Sequence, residues 1–97
     1  MIRHTALFKW TDEATSEQKQ KIAAELSALP AIVPSVRSLL LGHDAGLATG
    51  NFDFAVTVDF DDEAGFFAYR DDPAHREIIT RDILPITAQR VAVQFKF

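Results

Sequence analysis

Residues 52–60, Phe-Asp-Phe-Ala-Val-Thr-Val-Asp-Phe, alternate apolar with smaller or polar side chains without a break. Side chains along an extended strand point to opposite sides in turn. The stretch therefore has one wholly apolar face (Phe52, Phe54, Val56, Val58, Phe60) and one mixed face (Asp53, Ala55, Thr57, Asp59). A strand of this kind belongs in a sheet with one covered side. The rest of the chain has to supply both the neighbouring strands and the cover.

Three further stretches read as strands. Residues 2–10 place Ile2, His4, Ala6, Phe8 and Trp10 on one face and Arg3, Thr5, Leu7 and Lys9 on the other. Residues 35–44 form a second strand, and residues 88–97 close the chain with Val91, Val93, Phe95 and Phe97 on one face. Between the first two strands, Thr15 and Gln18 have the spacing of a capping box. Ile22, Leu26 and Leu29 then repeat at helical intervals until Pro30 stops the helix. After the 52–60 strand, acidic residues 61–63 suit a helix start, and Pro73 can open another helix over 73–84. The order strand, helix, strand, strand, helical segment, strand predicts an α+β domain of the ferredoxin-like, split βαβ type. Ninety-seven residues allow one such domain, 1–97, with a four-stranded antiparallel sheet and its helices on one face.

With the helices on one side, the mixed faces are left bare. Phasing each strand by its own alternation puts Leu7, Leu39, Leu41, Ala55 and Ala92 at the centre of that bare side. An exposed apolar centre on a sheet predicts an interface, here between two copies related by a two-fold axis.

Composition removes several functions. The net charge is −4 and the ten basic residues are dispersed, so a nucleic-acid backbone is not an expected partner. There is no cysteine, hence no disulfide, thiolate metal site or cysteine nucleophile. The apolar run at the start is too short for a signal peptide or membrane span, which predicts a cytoplasmic protein with no membrane partner. His4 and His43 are phased to opposite faces, so no metal is expected at His4, His43 and His75. No phosphate-loop spacing occurs, and no cofactor is expected. Tyr69 and His75, six positions apart across Pro73, are either a proton-transfer pair facing a cavity or only markers of where one helix stops and the next begins.

The blocks "HTALFKW", "LSALPAIVPSVRSLLLG", "FDFAVTVDF", "YRDDPAH" and "VAVQFKF", in this order and nearly end to end, resemble the stress-responsive dimeric α/β-barrel proteins. The resemblance implies ferredoxin-like subunits paired through their sheets into a barrel. One plant branch of that family comprises polyketide cyclases that close a linear polyketide by an aldol reaction without metal or cofactor. They use a Tyr-x₅-His arrangement and a histidine on the first strand. Tyr69 and His75 match the arrangement, and His4 matches the strand position. Asp72 stands where the family often has histidine before the proline.

Catalytic His75, Tyr69 and His4 would then meet in an apolar pocket lined by Ala6, Phe8, Val56, Val58, Phe67 and Ile79. In that reading His75 is the base, Tyr69 its orienter or an oxyanion donor, and His4 a second polar contact. The expected activity is cofactor-independent cyclisation or isomerisation of a small apolar carbonyl, polyketide-like compound. The alternative is a non-catalytic stress-associated protein that assembles or sequesters a ligand. A third activity found on related folds, a heme-free monooxygenase or a ring-degrading enzyme, has no residue pattern in its favour.

Overall fold

The computed structural model describes residues 1–97. Its elements are β1 (Ile2–Trp10), α1 (Ser16–Ala28), β2 (Ser38–His43), β3 (Phe54–Phe60), α2 (Glu63–Asp71), α3 (Pro73–Ile78) and β4 (Thr87–Lys96). The strands lie in the order β2-β3-β1-β4, and every neighbouring pair is antiparallel. β1 and β2 therefore run parallel with β3 between them, and β3 and β4 run parallel with β1 between them. This is the ferredoxin-like arrangement predicted from the order of elements.

The local devices are those the sequence spells out. Thr15 accepts from the Gln18 amide at 3.2 Å while the Gln18 side chain reaches back to the Thr15 amide at 2.9 Å, completing the capping box. Asp62 accepts from the Gly65 amide at 2.9 Å and caps α2. Gly65 also lets α2 approach β3 closely, since a Cβ there would lie 3.3 Å from the Phe60 Cβ. The predicted helix over 73–84 is α-helical only to Ile78. It widens into a π turn over Ile79–Ile83 and tightens into a 3₁₀ turn over Leu84–Ile86. Pro85 sits in the 3₁₀ turn, where its missing amide hydrogen leaves no α-type bond to extend the helix further.

Helices cover one side of the sheet. Ile2, Ala6, Phe8 and Trp10 of β1 and Phe54, Val56, Val58 and Phe60 of β3 are buried there with Ile22 and Leu26 of α1. On the other side Asp59 is also buried, because Arg3 grips it with two bonds of 2.7 and 2.8 Å and Ser38 donates a third at 2.9 Å.

The register corrects the predicted faces of both edge strands. Leu39 and Leu41 lie opposite Val58 and Val56, so they point toward the helices and pack against the core. It is Leu40, opposite Thr57, that occupies the bare side. Three consecutive leucines are apolar on both faces, and alternation could not phase them. Likewise Ala92 lies opposite Ala6, on the helix side, whereas Val91 and Val93 lie opposite Leu7 and Thr5 on the bare side. Of the predicted interface residues only Leu7 and Ala55 stand on the bare face. His43, opposite Phe54, shares a face with His4 after all. Its register partner is four strand positions from that of His4, roughly 13 Å along the sheet, and its ring rests on Phe54 at 5.0 Å.

Candidate functional site

A cavity of about 430 Å³ opens between the helix side of the sheet and the run from α2 to β4. It is partly apolar, within the common size range of small-molecule sites. Its floor comes from β1, whose alternation delivers His4, Ala6 and Phe8 to the same side, and from Val56 of β3. Its wall is built by a break in the helix. Asp72 takes an extended backbone before Pro73, and its carboxylate accepts from the Ala74 amide at 2.8 Å. That cap ends α2 just after Tyr69 and starts α3 just before His75, so both side chains turn inward; they are 3 % and 8 % exposed. The residue that departs from the family's usual histidine is thus a helix cap.

Tyr69, His75 and His4 all line this cavity. The Tyr69 and His75 rings pack with centroids 4.1 Å apart at 36°. Tyr69 is not the orienter of the imidazole. His75 Nδ1 lies 3.2 Å from the Arg70 carbonyl oxygen, which can only accept, so Nδ1 carries the proton and Nε2 keeps the basic lone pair. His4 has the opposite arrangement. The Gln94 side-chain amide donates to His4 Nδ1 at 2.7 Å, which leaves the proton on Nε2.

Burial, reinforced by the positive charge of Arg90 and by His75, lowers the His4 pKa to about 4. Burial also lowers that of His75, although the bond to the Arg70 carbonyl opposes the shift. Burial raises the Tyr69 hydroxyl to about 12. At neutral pH the cavity thus presents one imidazole with a free lone pair, one with a free N–H, and a hydroxyl that stays protonated.

Of the predicted lining, Ala6, Phe8, Val56 and Ile79 face the cavity. Val58 does not, because it is sealed in the core at 0 % exposure. Phe67 does not either. One helical step turns it outward beneath Arg70, whose Cζ lies 4.7 Å from its ring, and Phe66 takes the place beside His4 at 5.2 Å. Gln94, Arg90 and Arg76 also line the cavity and were missed. The signal for the β4 pair was present, since Arg90 and Gln94 share a strand face with Ala92, but the apolar opposite face drew the prediction.

A dimeric ferredoxin-like protein of unknown function from Thermobifida fusca is 49% identical to this chain, with a TM-score of 0.91 over 99% of this chain and 90% of its own. A hydroxynitrile lyase from Passiflora edulis shares the fold at 20% identity, with a TM-score of 0.84 over 97% of this chain and 90% of the lyase. An antibiotic biosynthesis monooxygenase does so at 15% identity, with a TM-score of 0.82 over 100% of this chain and 98% of its own. No curated protein matches the chain. The blocks that suggested a family run through all four strands and the Tyr69–His75 break, and residues 2–97 match the Stress responsive A/B Barrel Domain from end to end. The chain belongs to that family, Dabb.

Proposed function

We propose that the protein is a homodimer whose subunits each bind a small, partly apolar carbonyl compound and move a proton on it without a cofactor. The observation that carries this reading is the opposite proton placement on two neutral histidines lining one cavity. His75 Nε2 takes a proton from the carbon beside the carbonyl, and the electron pair moves onto the carbonyl oxygen. The Tyr69 hydroxyl donates a hydrogen bond to that oxygen, and His4 Nε2–H is a second donor. Return of the proton elsewhere gives isomerisation, and attack of the enolate on a second carbonyl of the same chain gives cyclisation. That a lyase shares the fold is compatible with this chemistry.

The dimer reading rests on the bare face. Leu40, Val93, Phe95 and Val91 are 71 %, 56 %, 45 % and 43 % exposed there, beside Leu7. A second copy packed sheet to sheet covers them, as befits a relative described as dimeric.

One observation favours a second reading. The Tyr69–His75 stack and the bond from His75 to the Arg70 carbonyl also clasp α2 to α3, which suits a ligand-sequestering protein with no chemistry. Deuterium uptake beside the carbonyl of 4-phenyl-2-butanone, followed by NMR in D₂O, separates the two. The wild type is expected to accelerate uptake and His75→Gln to lose about a hundredfold or more of that rate. Uptake no faster than in buffer leaves the sequestering reading standing.

A further inference from the structure

The chain has six arginines. Four are held by carboxylates: Arg3 by Asp59, Arg37 by Asp61, Arg70 by Asp71, and Arg81 by Glu25, Glu77 and Asp82. The other two, Arg76 and Arg90, have no carboxylate within ion-pair distance, and both line the cavity that holds His4, Tyr69 and His75. No aspartate or glutamate lines it. Acidic residues outnumber basic ones, fourteen to ten, so a cavity bordered by arginines alone runs against the composition of the chain.

The two unpaired guanidiniums approach from separate elements. Arg76 rises from the first turns of α3, one residue after His75, and Arg90 stands on β4, four residues before Gln94. Both are exposed, and the histidines are buried. Arg90 passes over the apolar floor, its Cζ 5.9 Å from the centre of the Phe8 ring. The cavity is therefore graded, from positive charge at its mouth, across an apolar middle of Ala6, Phe8 and Ile79, to the neutral polar trio.

We infer that the substrate is an oxo acid, a carbonyl compound whose far end carries a carboxylate that Arg76 and Arg90 bind at the mouth while the carbonyl reaches His75, Tyr69 and His4. Guanidinium is the side chain best matched to a planar carboxylate, through paired charge-assisted bonds. The inference rests on the carbonyl-binding reading above and adds the second functional group and its place. Burial is the main cause of the lowered pKa of both histidines, and a bound carboxylate would offset the smaller part that comes from the arginines.

The test compares 4-oxo-6-phenylhexanoate with its methyl ester, by calorimetry for affinity and by deuterium uptake beside the ketone for chemistry. Wild type, Arg90→Gln, Arg76→Gln and the double variant are used, with the circular dichroism melt confirming that each is folded. Arg90→Lys and Arg76→Lys serve if a glutamine variant is not. The wild type is expected to bind the acid roughly tenfold or more tightly than the ester. That preference should shrink in each single variant, vanish in the double variant and weaken with added salt. Equal affinity for acid and ester overturns the inference. So does a preference that survives the double variant, or no binding of either compound at millimolar concentration. Tighter binding of a phosphate monoester of matched length through the same arginines overturns the carboxylate assignment. Selective binding of the acid with no deuterium uptake supports the inference and removes the catalytic reading. Uptake on acid and ester alike, with equal affinity, does the reverse.

Discussion

The two faces of β4 teach more about this protein than any other pair of regions. One face carries Val91, Val93 and Phe95, and it points away from the subunit's own helices. The other carries Arg90, Ala92, Gln94 and Lys96, and it points toward them. In an isolated domain this is the wrong way round, because the apolar side of a strand ordinarily meets the core. The inversion has a reason on each side. The polar face is the wall of a cavity, where Gln94 sets the proton on His4 and Arg90 stands unpaired at the mouth. The apolar face is left uncovered by the chain's own helices, as the proposed dimer requires. β1 and β3, in the middle of the sheet, show the ordinary polarity, with their apolar faces buried under α1 and α2.

The comparison breaks first at Val93. Val93→Glu puts a charge at the middle of the apolar face and is expected to weaken the dimer by roughly a hundredfold, since a buried unpaired charge is not tolerated. Lys96→Gln, on the opposite face of the same strand, should leave the association unchanged. Sedimentation equilibrium over a concentration series measures both, and a Val93→Glu protein that remains as dimeric as wild type removes the interface.

A second effect, of middle size, belongs to the cavity face. His4 and His75 have pKa values lowered by folding, so in mild acid the unfolded chain takes up protons first. Their contribution is present above the ordinary histidine value of 6.5 and fades as the pH drops toward about 4 for His4. The melting temperature should fall between pH 7 and 5, a window above the ordinary aspartate range. The slope should be shallower in His4→Gln, and identical slopes in the two proteins refute the buried neutral histidine.

The smallest effect is at Gln94. Gln94→Leu removes the donor to His4 Nδ1 and leaves that nitrogen without its partner, at a cost of about 1 kcal/mol. In a domain this size the melting temperature should drop by roughly 4–8 °C, with the dimer intact. No change in melting temperature would mean that the His4–Gln94 bond contributes nothing.

Much of the architecture was legible because period and punctuation agree. The alternation of residues 52–60 set the phase of β3, Thr15 with Gln18 started α1, and Pro73 separated α2 from α3. Tyr69, His75 and His4 were grouped by the family resemblance, not by periodicity, and all three line one cavity. The edge strands were not legible in the same way. Leu39, Leu40 and Leu41 read alike on either face, and β4 was phased by its greasiest side, which is the side the helices do not cover. Phe67 and Phe66 are equally apolar neighbours, so only the rotation of α2 decides which one enters the cavity.

By itself the sequence determined the type and order of the elements and the helix break between Tyr69 and His75, because each depends on contacts within a few residues. Tertiary structure alone decided which face of each edge strand meets the helices, because that depends on register with a neighbour far away in the chain. It likewise decided the proton position on His4, which depends on a partner ninety residues distant.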